Sequence, residues 1–287
     1  MTVPVSPPVV VGIDGSKVAF RAAFWAAEEA TSADVPLRLV TVLAGGAEDP
    51  YKTVTKACAE LSRIKAALQD YEPALEVECD VLAGDPGDVL AEASRSARLL
   101  CVGWKGTHNS GPGRRGSTAS MLARTAKSSV AIVHRRHAHH PVGPHRWVVA
   151  ICDDRSDSTR LLQTAGAEAR SRAASILALS PWPAESEQTA DIRAALAATA
   201  DNGTAQDMVR CVLPRPDDIV DLLALSAQID QLVIAWPDDP GLINQLLSSR
   251  STELLRETDC TLLILRDAGH ARTAGTSALP DVSDGGR

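Results

Sequence analysis

The chain has 287 residues, 45% of them hydrophobic, and carries 29 Lys+Arg against 36 Asp+Glu for a formal net charge of -7. That length holds one large domain or two ordinary ones, and an acidic total argues against nucleic acid as the main partner, since that interaction rests on neutralising phosphates. No apolar run approaches the roughly 20 residues of a membrane span, and the Pro/Val-rich lead from Met1 to Pro8 lacks the basic start and cleavage pattern of a signal peptide, so a cytoplasmic protein without membrane contact is expected.

Val9 to Asp14 is an apolar strand of the kind buried on both faces in a parallel sheet, and Ser16 follows as N-cap of an alanine-rich helix running to about Ala30. Leu37 to Leu43 is a second strand, Lys52 to Leu68 a helix, and Glu76 to Leu82 a third strand. Gly84-Asp85-Pro86-Gly87 turns into a helix from about Asp88 to Arg98. Leu99 to Val102 is a fourth strand, and a helix leads from Ser117 to a fifth at Val130 to Val133. Strands and helices alternating at these lengths imply a doubly wound, mainly parallel sheet with right-handed crossovers.

Residues 135–146, RRHAHHPVGPHR, break every periodicity and read as a linker. The histidines at 134, 137, 139, 140 and 145 suit weak metal binding or a solvated linker alike, and no metal site is assigned. The pattern then restarts. Trp147 to Cys152 repeats the first strand and Ser175 to Leu179 the second, and adding 132 takes residues 80–134 onto 212–266 without a gap. A tandem duplication of one α/β unit follows. Its expected organisation is a first domain over 1–134, the linker, a second domain over 147–267 and a disordered tail over 268–287. The six cysteines are scattered and form no C-x-x-C pair, so neither a disulfide framework nor a zinc site is indicated. Charge is uneven: residues 1–140 hold 16 basic and 15 acidic side chains, residues 141–287 hold 13 and 21.

One loop stands out. After the fourth strand the spacing is Gly103, two residues, Gly106, nine residues, then Gly116-Ser117 at the start of a helix. Glycines let a backbone turn and approach a ligand, and N–H groups free at a helix start favour a phosphate. With a first strand ending Gly12-Ile13-Asp14, this pattern resembles the universal stress protein family and its ATP-binding branch, over about residues 8–134 and more weakly 146–266.

The resemblance implies two tandem Rossmann-like units, each a five-stranded, mainly parallel sheet, and a site for ATP, with Mg2+ as its candidate companion. It implies that Asp14 accepts hydrogen bonds from the ribose or adenine region, that Gly12 and Ile13 line the pocket, and that Val42 meets the base. It implies that Gly103 and Gly106 let the main chain pass the ribose and phosphates, and that Gly116, Ser117 and Thr118 donate to the phosphates. The loop residues THNSGPGRR are polar where the family usually carries apolar ones, and they add Arg114 and Arg115, with Lys105 across from them. At least one of the two arginines is expected to neutralise a β- or γ-phosphate, with Lys105 a further candidate contact, a solvated basic loop or partner contact being the alternative.

In the second half Gly103 maps to Ala235, Gly106 to Asp238 and Gly116 to Ser248, and alignment of the first strands on their apolar runs sets Cys152 at the place of Asp14. Negative charge at Asp238 and Asp239 opposes phosphate there, so one nucleotide per chain is expected. The sequence has no G-x4-G-K-[ST], no paired carboxylates around the loop and no nucleophile and base pair, so no catalytic residue is assigned. The expected function is a nucleotide-binding regulatory stress-response protein, with a slow ATPase or a nucleotide-independent partner-binding protein as alternatives. The family commonly dimerises through its last strand, so Val130–Val133 and Leu262–Leu265 are expected to pair within the chain as a pseudo-dimer, with a homodimer through another interface as the alternative.

Overall fold

The computed structural model describes residues 6–45, 49–104, 117–134, 147–152, 158–180, 182–183, 185–199, 208–211, 229–235 and 260–266. The elements of the first half are β1 (Val9–Gly12), α1 (Lys17–Ala33), β2 (Leu37–Leu43), α2 (Pro50–Tyr71), β3 (Val77–Ala83), α3 (Pro86–Ala93), β4 (Leu99–Gly103), α4 (Ser117–Thr125) and β5 (Ser129–Val133). Those of the second are β6 (Trp147–Ile151), α5 (Ser158–Arg172), β7 (Ser175–Ser180), α6 (Glu187–Thr199), β8 (Met208–Cys211), β9 (Ile229–Ala235) and β10 (Thr261–Leu265). The helix expected to reach Arg98 stops at Ala93, and a 3-10 turn, Ser94–Ser96, carries the chain on. There the Ser94 hydroxyl donates to Ala91 O and accepts from Lys127 N, competing with further helical bonding.

The two five-stranded sheets expected from the sequence are halves of one ten-stranded mixed sheet, ordered β3-β2-β1-β4-β5-β10-β9-β6-β7-β8. Every neighbouring pair is parallel except β5 with β10. The reason is that β5 and β10 are the exposed edges of their halves, and each supplies the other with the partner that an apolar edge strand requires. Ala131 lies opposite Leu263, with Ile132 opposite Leu262 and Val130 opposite Ile264.

Within the ungapped match, Leu263 is the counterpart of Ala131. The join is therefore symmetric about that pair. The register inside each half is also kept at this offset, since Leu99 faces Ser129 where Gln231 faces Thr261. It is not kept at β8: Val40 faces Asp80 whereas Leu179 faces Arg210, an offset of 130 for the third strand.

Strands buried on both faces deliver alternate residues to two layers. Val9 and Val11 join a cluster with Leu61 of α2, Ala22 and Ala26 of α1, Leu161 and Leu162 of α5 and Leu263 of β10. Val10 joins the opposite cluster with Leu90 of α3, Leu122 of α4, Ile132 and Ile264. Both clusters cross the join. α1 comes close to the sheet because its inner face is alanine, with Ala19, Ala22, Ala23, Ala26, Ala27 and Ala30 all buried. Ser16 caps it as expected, its hydroxyl accepting from Ala19 N at 3.0 Å.

Candidate functional site

In the first half, β1 is flanked by β2 on one side and β4 on the other, both parallel to it. The chain winds from β1 through β2 to β3 on one side and then crosses to β4 on the other, so the strand order reverses between β1 and β4 and a crevice opens at their carboxyl ends. The residues expected at the site divide along this edge. Gly12 ends β1 and Ile13 follows it, buried, with its N–H donating to Val40 O at 2.8 Å. Asp14 is exposed, and its Oδ1 accepts from Ser16 N at 3.0 Å, so the carboxylate supports the turn that starts α1. Val42 is half-buried near the end of β2, and Thr118 half-buried in the first turn of α4. Ser117 is the first residue of α4. Lys105, Gly106, Arg114, Arg115 and Gly116 lie outside the described residues.

Two of the glycines answer packing demands. A Cβ on Gly103 would stand 3.0 Å from Ala19 N and 3.1 Å from Val18 C, against the backbone of the first turn of α1. A Cβ on Gly12 would stand 2.9 Å from Leu90 Cδ1 and 3.3 Å from Val102 Cγ1, on the α3 side. Missing side chains at these strand ends bring α1 and α3 close to the crevice. That close approach sets the walls of any pocket there.

Trp104 is buried and its backbone N–H donates to Val133 O at 3.1 Å. Its ring lies 4.2 Å from the ring of His134, so it packs inside the protein and is not offered to a base. His134 therefore does not belong with the linker histidines. It extends β5, its Nε2 is buried without a hydrogen-bond partner among the described residues, and burial pushes its pKa down to about 3. Nothing in the residue pattern marks this, because His134 directly precedes the Arg- and His-rich run.

Strand register corrects the alignment of the two halves. Gly12 pairs with Val40 where Ile151 pairs with Leu179, both members shifted by 139. The next residue confirms it, since Ile13 N donates to Val40 O and Cys152 N to Leu179 O. Cys152 thus stands in the place of Ile13, buried like it, and Ile151 in the place of Gly12. The counterpart of Asp14 is Asp153, not Cys152. Aligning on the apolar runs fails because the second run begins one residue earlier, at Trp147, where the β6 and β9 pairing is irregular.

The helix starts differ in what satisfies their first N–H groups. Ser16 caps α1, Asp49 Oδ1 accepts from Lys52 N at the start of α2, and Asp85 Oδ1 accepts from Gly87 N and Asp88 N at the start of α3. The residue before α4 is Gly116, which has no side chain to accept. Chemically, the described edge combines two strand-end glycines that let α1 and α3 approach, the Asp14 carboxylate and the start of α4.

An open, doubly wound α/β sheet with its crevice at the switch in strand order defines a class of proteins that take small ligands at this edge. The universal stress protein family model matches residues 7–134. The universal stress protein Rv2028c of Mycobacterium tuberculosis is 34% identical over 275 residues, covering 90% of this chain and 96% of that protein. Rv2624c of the same organism is 30% identical over 266 residues, covering 92% and 97%. The chain belongs to the universal stress protein family. The crystal structure of a universal stress protein from Archaeoglobus fulgidus shares the fold, with a TM-score of 0.65 at 16% identity over 93% of this chain and 98% of that one.

Proposed function

We propose that this chain is a regulatory protein of the stress response that binds one adenine nucleotide, ATP with or without Mg2+, in its first half. The observation that carries the reading is the coincidence of the strand-order switch at β1 and β4 with the start of α4, the helix that Gly116 precedes. In this reading Asp14, two residues beyond β1, accepts from ribose hydroxyls, and Gly12, Ile13 and Val42 form the floor and base side of the pocket. Gly116, Ser117 and Thr118 supply the phosphate end, with Gly106 allowing close approach and Lys105, Arg114 and Arg115 supplying charge. Gly103 acts through packing: it lets α1 close the wall beside the nucleotide.

The second half keeps the fold and an aspartate at 153, so its loss of function rests on other positions. Ile151 replaces Gly12, Ala235 replaces Gly103, Asp238 replaces Gly106 and Ser248 replaces Gly116. Bulk at two strand ends and negative charge in the loop oppose a polyphosphate there. The two halves, bounded at 1–134 and 147–267, act as an intrachain pseudo-dimer in which one member binds.

Mass spectrometry of the denatured protein is expected to find co-purified adenine nucleotide, and calorimetry to give one ATP per chain. Arg114→Ala with Arg115→Ala is expected to weaken affinity and flatten its salt dependence. No binding, or two equivalent sites, overturns the reading. Multiple turnovers of phosphate release would favour the ATPase alternative.

A further inference from the structure

The offset of 139 that relates β1 and β2 to β6 and β7 also relates α1 to α5, and it makes Glu168 the counterpart of Glu29 and Arg172 the counterpart of Ala33. The two glutamates converge across the join. Arg172 sits between them, with Nη2 at 2.5 Å from Glu29 Oε1 and Nη1 at 2.7 Å from Glu168 Oε2. Its guanidinium also lies over the Trp25 ring, 5.6 Å from the centroid. All three charged side chains are largely buried, with exposures of 10% for Arg172, 16% for Glu29 and 11% for Glu168. Among the ion pairs of the described residues, this one spans the two halves.

The symmetry of the join gives the cluster a meaning beyond cohesion. A universal edge such as β5 can in principle accept either β10 of its own chain or β5 of a second copy. Pairing of two first halves would put Ala33 of each copy where Arg172 now meets Glu29, leaving two carboxylates half-desolvated with no cation. Pairing of two second halves would carry two arginines with two glutamates, so the discrimination falls on the first half. Burying like charges without a partner is penalised far more than a well-paired cluster is rewarded.

We propose that Arg172 commits the β5 edge to pairing within the chain, by neutralising two symmetry-related glutamates that a second copy of the first half would leave unneutralised. The proposal concerns assembly and stands whether or not the chain binds nucleotide.

The test uses the full chain. Arg172→Glu places a third carboxylate in the cluster, and it is expected to open the join and raise the solution mass in a concentration-dependent way, with a lowered melting temperature. Glu29→Arg combined with Arg172→Glu again sets one cation between two carboxylates, and it is expected to return mass and melt to the values of the parent chain. The proposal is overturned if Arg172→Glu keeps the parent's mass and melt, or if the charge-swapped variant behaves no better than the single one. Should Arg172→Glu fail to fold, recovery of a cooperative melt in the swapped variant supports the proposal and its failure to recover overturns it. A simple packing role for the arginine stem would not be rescued by moving the charge to the other half.

Discussion

Asp34 and Ala173 close the first helix of each half in the same left-handed turn, with φ of 51° and 49°. They are counterparts at the offset of 139, and each is followed by the same closing bond, Val35 N to Ala30 O and Ala174 N to Ala169 O. An L side chain in this region costs about 1 to 2 kcal/mol, and aspartate tolerates it better than alanine because its short polar side chain can bond locally. Ala173→Gly is therefore expected to stabilise the chain by about 1 kcal/mol and Asp34→Gly by less. Urea midpoints of the two variants check the order. Equal gains, or a loss at 173, would contradict this account of the turn.

Much of this architecture is legible in the residues. Leu37 to Leu43 is bounded in the structure where the apolar run and its glycines place it, and Ser16 caps α1 because a hydroxyl there answers the N–H groups of a helix start. The strands Val130–Val133 and Leu262–Leu265 do lie side by side. Register is what the sequence hides. A strand such as Trp147 to Cys152 is apolar at every position, so nothing within it marks which residue faces Val40's counterpart, and a shift of one residue is invisible until hydrogen bonds fix it. The roles of Gly103 and His134 are hidden for a different reason. Each depends on a residue distant in sequence, the α1 backbone for one and the Trp104 ring for the other.

Gly103 separates a packing role from a purely ligand-facing one. A Cβ there would press on Ala19 N at 3.0 Å and Val18 C at 3.1 Å, and backbone cannot swing aside as the end of a side chain can. Gly103→Ala is expected to lower stability by roughly 1 to 3 kcal/mol, the usual cost of overpacking. The loss is expected in nucleotide-free protein, measured by denaturant unfolding after exhaustive removal of bound nucleotide. Unchanged stability combined with weakened binding would assign the glycine to the ligand instead. Gly87→Ala offers a contrast, because its Cβ would meet the terminal methyl of Met121, a flexible group, and a smaller loss is expected.

His134 makes stability depend on pH, and the direction follows from its surroundings. Burial against Trp104, with Nε2 lacking a partner among the described residues, lowers its pKa from 6.5 to about 3. Between those values the unfolded chain binds a proton at this histidine and the folded chain does not, so folding stability is complete above the unfolded pKa and declines as pH falls towards 3. The slope from this one group approaches about 1.4 kcal/mol per pH unit, giving a loss of about 2 kcal/mol between neutral pH and about pH 5. His134→Phe keeps a ring against Trp104 and removes the proton, so its stability should fall less over the same range. The comparison is the difference between variant and parent in urea unfolding at the two pH values, which cancels titrations common to both. Because His134 continues β5 at the join with β10, the acid loss is expected to involve both halves together; parallel slopes for variant and parent would show that the histidine does not titrate with folding.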